Sequence, residues 1–279
     1  MTVALVQHAV PNVRAEAVSR GVRALERAAA QGADLVVFPE LSFTPFYPQV
    51  PADERAESLS DLAEPVPGPT TEALRTVARE CRVVMVCNLY ERDGDRFFDT
   101  SPVIDADGTL LGVTRMMHIT QYAHFWEQDY YHPGDTGAPV YDTAAGRLGV
   151  AICYDRHYPE YLRALALQDA EIVAVPQAGT VGEWPEGMYE AELRVAALQH
   201  GFFPALANRV GREQDMHFAG RSFVTDPFGE VVAQAPGDEE AILHATVDLD
   251  RRDDAPARQL FHHHRRPDQY EKGAVALEN

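Results

Sequence analysis

Cysteine and long apolar runs are scarce in this sequence, and each scarcity argues against a class of protein. The three cysteines, Cys81, Cys87 and Cys153, are odd in number and lack the paired spacing of a metal site. We therefore expect no disulfide framework and a reducing compartment. No apolar run approaches membrane-spanning length, and the N-terminus has no basic flank. The sequence thus favours a cytoplasmic protein with no membrane partner.

Lysine is almost absent, because Lys272 is the only one and every other basic side chain is an arginine. Basic residues number 24 against 43 acidic ones, which gives a formal net charge of -19. Nucleic acids and anionic membranes reward clustered positive charge, so we expect neither as a partner. The charge indicates solubility and says nothing about the activity.

The apolar content is high enough for a large core, since 46% of the 279 residues are hydrophobic. Apolar runs and helical patterns alternate without a linker rich in Ser or Gly, which predicts one domain over residues 1–260. We expect the remaining tail, 261–279, to form an oligomer contact. Its three successive histidines, 262–264, alternate in direction when extended and are not expected to bind one metal ion.

The order of apolar periodicities predicts an α/β fold with two mixed sheets and helices outside them. Predicted helices cover residues 13–31, 70–79, 159–168 and 188–200. Predicted strands cover 3–7, 34–38, 82–90, 99–104, 110–116, 140–142, 148–152, 172–175, 204–208, 222–226, 231–235 and 242–247.

Cys153 follows the short apolar run 148–152, and Pro159 opens a helix soon afterwards. This pattern puts a thiol at a strand-to-helix elbow, where side chains converge on a cleft. A thiol at such a place is a candidate nucleophile. The alternative is a buried core cysteine, which is the usual fate of a free cysteine.

Two glutamates are candidate partners for that thiol. Glu40 directly follows an apolar strand, where a carboxylate is either a surface or capping residue or a general base at a sheet edge. Glu127 lies in an aromatic-rich loop and is either solvated or partly desolvated, which would raise its pKa. A cysteine with an acid partner is a known nucleophile–base arrangement.

Taken together and in this order, these segments resemble the nitrilase, or carbon–nitrogen hydrolase, superfamily from Val3 to about Tyr270. Phe38-Pro-Glu-Leu41 resembles the family's first block, and Gly149-Val-Ala-Ile-Cys-Tyr-Asp155 resembles the block that carries the nucleophile. The other matching segments are Gly112-Val-Thr-Arg-Met-Met-His-Ile119, Gly134-Asp-Thr-Gly137, Ala207-Asn-Arg-Val-Gly211 and Arg265-Arg-Pro-Asp-Gln-Tyr270.

The resemblance implies a four-layer α-β-β-α sandwich that pairs into homodimers or larger homo-oligomers and uses no metal or organic cofactor. It implies that Glu40 takes the proton from Cys153, whose thiolate attacks an amide, ureido or nitrile carbon. The resulting thioester releases ammonia or an amine and is then hydrolysed. Glu127 would be the second glutamate of the site, and His118 would line the pocket.

The sequence departs from the family at Met116, where the resemblance implies a catalytic lysine. Arg115 is one position away and should point to the opposite face of an extended segment. Three interpretations stay open. Met116 is an introduced substitution, or the protein is a binding-only pseudoenzyme, or a cationic substrate places its own charge between Glu40 and Glu127.

The segment from Cys153 to Pro159 most resembles the branch that cleaves N-carbamoyl compounds. Arg156 either binds a substrate carboxylate or forms an internal salt bridge to Glu160 or Asp155. Inward-facing Glu183 or Glu190 would favour an amine-bearing substrate. The other candidate substrate-binding residues are Tyr154, Gln177 and Trp184, of which Trp184 is alternatively a packing residue.

Overall fold

The computed structural model of the protein describes residues 1–273, so 274–279 of the predicted C-terminal tail lie outside the described residues. The helices are α1 (Arg14–Ala30), α2 (Leu59–Leu62), α3 (Pro69–Cys81), α4 (Pro159–Leu167), α5 (Met188–His200) and α6 (Pro267–Gly273). The strands are β1 (Thr2–Gln7), β2 (Leu35–Val37), β3 (Val84–Val86), β4 (Leu89–Asp93), β5 (Arg96–Ile104), β6 (Leu110–Arg115), β7 (Val140–Thr143), β8 (Gly146–Val150), β9 (Ile172–Gln177), β10 (Phe203–Asn208), β11 (Val210–Glu213), β12 (Met216–Ala219), β13 (Phe223–Thr225), β14 (Val231–Gln234) and β15 (Ala241–Thr246).

Two mixed sheets hold most of the strands. The first has the order β15-β1-β2-β3-β5-β4 with β6 paired to β5, and the second has the order β14-β13-β10-β9-β8-β7. In the first sheet β1, β2 and β3 run parallel, and in the second β8, β9 and β10 do. The parallel strands form the middle of each sheet, where both faces are covered.

The layers follow from the alternation of side chains along each strand. In β1, Val3 and Leu5 join the core between the two sheets, whereas Ala4 and Val6 join a second core under α1 and α3. A third core lies between the second sheet and the pair α4 and α5. The described chain is therefore a four-layer α-β-β-α sandwich, which confirms the predicted fold class.

Helix α1 shows why the packing is close. Its buried positions Ala17, Gly21, Leu25 and Ala28 lie on one face at helical spacing. A Cβ atom on Gly21 would lie 2.4 Å from the ring of Phe43, so glycine is required for this approach. Most predicted helices and strands are found within a few residues of their predicted ends.

One prediction of local structure is wrong, and one hairpin was missed. Residues 82–90 do not form one strand, because the chain turns between β3 and β4, where the Asn88 side chain binds the backbone of Leu41 and side chains of β5. The hairpin β11–β12 was not predicted as strands. Cys87 is buried in the core, whereas Cys81 is half-buried at the end of α3. Within residues 1–273 no helix has the length and apolarity needed to cross a membrane.

Candidate active site

The ends of parallel strands from both sheets converge on one buried region. Glu40 follows β2, Cys153 follows β8, and Gln177 ends β9. The backbone N–H of Glu40 donates to the carbonyl oxygen of Gln177 at 3.4 Å, which joins the two sheets at this point. Carboxyl ends of parallel strands are where α/β folds commonly place their functional groups.

Cys153 occupies a strained backbone position. Its φ of 42° lies in the left-handed region, which a residue with a Cβ adopts at an energetic cost. It begins a 3-10 turn over Cys153–His157, between β8 and α4. The side chain is buried, and the Arg156 guanidinium donates to the Cys153 carbonyl oxygen at 2.8 Å. The predicted elbow is therefore present, with the thiol facing the core between the sheets.

Glu40 and Glu127 are both fully buried carboxyl groups beside this thiol. Within residues 1–273 none of their oxygens has a hydrogen-bond partner of standard geometry, although the backbone N–H of Thr120 is close enough to lower the pKa of Glu127. The Cys153 thiol lies close enough to the Glu40 carboxyl for its S–H to favour the ionised carboxylate and lower the pKa of Glu40. Burial, and then the charge of Glu127, raises the pKa of Glu40 to about 8. Burial and then the charge of Asp99 raise the pKa of Glu127 well above its ordinary value.

Met116 lies in the same inter-sheet core as Cys153 and is 1% exposed. Its N–H donates to the carbonyl oxygen of Asp99 at 2.9 Å, and its own carbonyl accepts from the N–H of Gly134 at 2.8 Å. The bond to Asp99 fixes the end of β6 against β5. The uncharged thioether of Met116 therefore packs in the core between the two sheets, in the same cluster as Cys153.

Arg115 points away from Met116, as expected for adjacent residues in a strand. Its guanidinium forms two hydrogen bonds with Glu91, at 2.7 and 2.8 Å, and also pairs with Asp93 and Asp135. Arg115 is therefore fully engaged on the opposite face and brings no positive charge to Cys153.

Asp99 and Tyr131 are buried in the same region and were missed in the sequence. The Asp99 carboxyl lies close to that of Glu40, and burial followed by the charge of Glu40 raises its pKa. Burial, Asp99, Glu40 and Glu127 raise the pKa of the Tyr131 hydroxyl, so it stays neutral. The available signal was an aspartate at the start of the predicted strand 99–104.

Arg156 is buried and bonded internally. Its Nη1 donates to Gln177 Oε1 at 2.8 Å, and its Nε lies 3.0 Å from Glu192 Oε2. The expected internal partners, Glu160 and Asp155, were wrong, because the 3-10 turn directs the guanidinium towards α5, which carries Glu192. A contact of Arg156 with a substrate carboxylate stays a prediction, as does a contact between a substrate and Gln177.

Asp155 organises the elbow. Its carboxylate accepts hydrogen bonds from the backbone N–H of Ile152 and Met117 and from His118 Nδ1, the last at 2.7 Å. The His118 ring stacks on Tyr158 with a centroid separation of 3.5 Å. The carboxylate of Asp155 therefore ties the segment after β6 to the turn that presents Cys153.

Tyr154 lies next to the nucleophile candidate in the chain and is half-buried on the same turn. Its ring packs edge-on against His157 at 5.0 Å and against Tyr158 at 5.8 Å. The aromatic rings of this turn thus form one packed group. Substrate-binding roles for Tyr154 and His118 stay predictions.

Glu183 forms part of a cleft of about 310 Å³ with Tyr122, Thr180 and residues of β12. Its carboxylate accepts from the hydroxyls of Tyr122 and Tyr189, both at 2.7 Å, and from Trp184 Nε1 at 3.1 Å. The charge of Glu183 also raises the pKa of Cys153. Glu183 therefore lies near the thiol, whereas Glu190 accepts from Gln234 on the outside of the molecule.

The electrostatics make the thiol depend on a base. Burial, and then Glu40, raises the pKa of Cys153 well above its ordinary value, so the thiol stays protonated at neutral pH. Glu40 is the carboxyl group in contact with it and can accept its proton. Within the part of the chain that the structure describes, no group of His, Cys, Asp or Glu has the geometry of a metal site. The arrangement is chemically suited to nucleophilic attack on a carbonyl carbon.

Comparisons with known proteins agree with this chemistry. The carbon-nitrogen hydrolase family model matches residues 2–257. An N-carbamoylputrescine amidase of Solanum lycopersicum is 33% identical over 97% of this chain and 93% of that protein. A carbon-nitrogen hydrolase structure from Helicobacter pylori G27 has a TM-score of 0.91 and 30% identity and covers 99% of both chains. A mutant amidase from Nesterenkonia sp. AN1, with acrylamide added at its active-site cysteine, has a TM-score of 0.80 and 26% identity over 98% of this chain and 100% of that one.

Proposed function

The chain belongs to the carbon–nitrogen hydrolase family, and on that premise we propose that it hydrolyses a small N-carbamoyl amine through a thioester on Cys153. The observation that carries the proposal is the contact between the Cys153 thiol and the Glu40 carboxyl at a buried elbow. The amidase relative with acrylamide at its active-site cysteine supports a cysteine nucleophile. The alternative from another class is a ligand-binding protein on the same fold.

The proposed reaction needs one base used twice. Ionised Glu40 accepts the Cys153 proton as the sulfur attacks the carbamoyl carbon, and it returns that proton to the departing amine or ammonia. Glu40 then activates a water molecule that hydrolyses the thioester. Glu127 lies close enough to influence the charge of Glu40, so we place it in the binding pocket for the reacting group.

Met116 makes the proposed enzyme slow. The resemblance implies a lysine at this position, and loss of one oxyanion donor costs about 10²–10³ in rate. A cationic substrate would bring a positive charge into a region that holds Glu40, Glu127 and Glu183. We therefore favour an amine-bearing substrate over a neutral amide.

Glu183 supports the choice of an amine. Its carboxylate lies at the cleft beside Tyr122, close enough to Cys153 to affect the thiol's pKa. A substrate ammonium in this cleft would replace one tyrosine hydroxyl as a donor to Glu183. A substrate carboxylate would instead require Arg156, whose Nε is paired with Glu192 and whose Nη2 is buried without a partner among residues 1–273. A relative that is named for N-carbamoylputrescine, which carries an amine, agrees with this choice.

The test compares Glu183→Gln with a matched control, Glu186→Gln. Glu186 is three residues further on, and its side chain is 86% exposed beside Arg221. We expect Glu183→Gln to raise KM for a carbamoylated diamine about ten- to hundred-fold, since hydrogen bonds to charged groups contribute about 1.5–3 kcal/mol. Glu186→Gln should leave KM unchanged. Ammonia release is the measurement.

A carbamoyl compound without the amine provides the second arm. We expect Glu183→Gln to leave its KM unchanged. Equal effects of Glu183→Gln on charged and uncharged substrates would contradict an amine subsite. Reversible saturation by all compounds, without ammonia release from any of them, would support the binding protein instead.

A further inference from the structure

The buried site holds three carboxyl groups with little positive charge to balance them. Asp99 Oδ2 and both carboxyl oxygens of Glu40 and of Glu127 are buried without an assigned donor among residues 1–273. Arg209 lowers the pKa of Glu40 and Arg156 lowers that of Cys153, but these two arginines are paired with Glu213 and Glu192. Three buried carboxylates this close cannot all be ionised, so the group must retain protons.

Asn88 fixes which oxygen of Asp99 is available. The backbone N–H of Leu41 can only donate, so the Asn88 oxygen must face it, and the two lie 2.7 Å apart. The Asn88 amide nitrogen therefore donates to Asp99 Oδ1 and, at 3.1 Å, to Ser101 Oγ. Asp99 Oδ1 thus has its donor, whereas Oδ2 has none within the described residues.

The remaining oxygen of Asp99 belongs with Glu40. Asn88 joins Asp99 to Leu41, the chain neighbour of Glu40. The two carboxyl groups lie close enough for a shared proton to raise the pKa of Asp99 and lower that of Glu40. Two carboxylate oxygens are both acceptors, so they can form a hydrogen bond only when one of them carries a proton. Glu40 must be the ionised member when it accepts from Cys153, and this leaves the proton on Asp99.

We propose that Asp99 and Glu40 share one proton, and that Asp99 donates it to hold Glu40 ionised and directed at the Cys153 thiol. The proposal rests on the proposed function, because it assigns Glu40 as the base. In the chemical step the S–H bond breaks and an O–H bond forms on Glu40, while Asp99 keeps its own proton. Asp99 is a positioning residue, since it acts through Glu40. It relieves the negative charge that Met116 leaves unbalanced.

Other titratable groups around the pair also determine its charge. Glu127 and Cys153 face Glu40 from the loop after β6 and from the elbow. The charge of Glu127 raises the pKa of Glu40, whereas the Cys153 thiol lowers it by donating a hydrogen bond. Three further groups lie near the pair. The charge of Asp155 raises the pKa of Asp99, and the charge of Arg209 lowers the pKa of Glu40. Tyr131 has a raised pKa and stays neutral.

The test follows alkylation of Cys153 by iodoacetamide across pH 5–10, because it reports the base without requiring turnover. Peptide mass spectrometry separates Cys153 from Cys81 and Cys87. In Asp99→Asn the amide still donates to Glu40, so we expect the pH midpoint to stay within about half a unit of the unmodified protein. In Asp99→Ala the donor is lost, and the midpoint should rise by about one unit or more.

Ser101→Ala is the matched control, because it removes the other acceptor of the same Asn88 amide while leaving Asp99 in place. Its midpoint should not move. If Asp99 were ionised instead, both Asp99 variants would lose a like charge and the midpoint would fall in both. Unchanged midpoints with equal loss of rate at every pH would indicate a purely structural role. Either result overturns the proposal.

Two further measurements separate the remaining outcomes. If Asp99→Ala does not fold, shown by loss of its melting transition, Asp99→Asn decides alone. A lowered midpoint, or a preserved midpoint with an equal loss of alkylation rate at every pH, overturns the shared proton, whereas a preserved midpoint with a preserved rate supports it. Ammonia release from carbamoylated amines is followed in parallel. If the midpoint rises in Asp99→Ala as expected but no ammonia is released, the proton pair is supported and the proposed function is rejected. If ammonia is released but the Asp99→Ala midpoint does not shift, the proposed function is supported and the proton pair is rejected.

Discussion

Glu40 must lose its proton before it can accept one from Cys153, and its buried position makes that loss difficult. Burial and the charge of Glu127 raise its pKa to about 8. A base works only when ionised, so kcat/KM should be highest above pH 8 and fall as the pH drops through about 8. A pH–rate profile measures this limb. A midpoint near pH 5 would contradict the assignment of Glu40.

The same raised pKa lowers stability at high pH. Between its ordinary pKa of 4.5 and about 8, folded Glu40 keeps a proton that the unfolded chain releases, so its contribution to stability is lost as the pH rises. We expect Glu40→Gln to increase the free energy of unfolding at pH 8 by about 1 kcal/mol or more, and by much less at pH 4.5.

Urea unfolding of both proteins at the two pH values measures the difference. The variant should also lose hydrolysis, so stability and activity change in opposite directions. Equal stabilities at pH 8 would show that the Glu40 carboxyl has an ordinary pKa.

At the scale of single residues, the sequence offered Glu40, Glu127 and Cys153 as candidates, each with a structural alternative. Their roles came from the combined resemblance of their segments to one family. Their convergence in the structure fits the roles proposed for them. Asp99 was not predicted, because its relevance depends on contact with Glu40 across two strands. No local pattern reports such a contact.

Among the elements, the end of β6 depends on one glycine. A Cβ atom on Gly134 would lie 2.3 Å from the carbonyl oxygen of Arg115 and 2.8 Å from that of Met116, and backbone atoms cannot move aside cheaply. We expect Gly134→Ala to destabilise the protein by about 1–3 kcal/mol and to reduce turnover. Thermal unfolding and ammonia release measure the two effects.

Gly237→Ala is the control for that substitution. Its added Cβ would lie 3.4 Å from the nearest atom, which is ordinary contact, and it is remote from β6. It should change stability by less than about 0.5 kcal/mol. A similarly small effect of Gly134→Ala would mean that the segment after β6 can shift freely.

Element positions were largely predictable, since buried strands and amphipathic helices have clear periodicity. Two segments were not predicted correctly, the strand over 82–90 and the hairpin β11–β12. Asn88 interrupts the predicted strand over 82–90 by binding Leu41 and Asp99. The hairpin β11–β12 is short and half polar, so its sequence lacks a continuous apolar run.

For the molecule as a whole, two buried histidines predict sensitivity to acid. Burial lowers the pKa of His8 and of His200 to about 3. The unfolded chain gains these protons near pH 6.5 and the folded chain does not, so stability is lost as the pH falls from about 6.5 towards 3. We expect His8→Gln to lose about 1 kcal/mol less stability than the unmodified protein between pH 6.5 and 4.5.

Chemical unfolding at several pH values measures this slope, with exposed His264→Gln as the control. Identical slopes for all three proteins would mean that His8 is protonated in the folded state. Between pH 6.5 and 4.5 the raised pKa of Glu40 makes the protein more stable as the pH falls, whereas His8 makes it less stable. The effect of His8 is therefore obtained from the difference in slope between the variant and the unmodified protein.

The layer order was predictable because both sheets need apolar strands covered on two faces. The division into a domain over 1–260 and a tail, and the homo-oligomer, stay predictions. Oligomeric state depends on surface complementarity between copies, which sequence periodicity does not report. Light scattering of the purified protein measures it.

Intact-protein mass spectrometry with a carbamoylated diamine tests the central claim most directly, using the unmodified protein, Met116→Lys and Cys153→Ala. We expect a carbamoyl adduct on Cys153 in the unmodified protein with slow ammonia release, and faster release in Met116→Lys. Cys153→Ala should show neither. The absence of both adduct and ammonia in the unmodified protein and in Met116→Lys would contradict hydrolysis through Cys153 and indicate a binding protein.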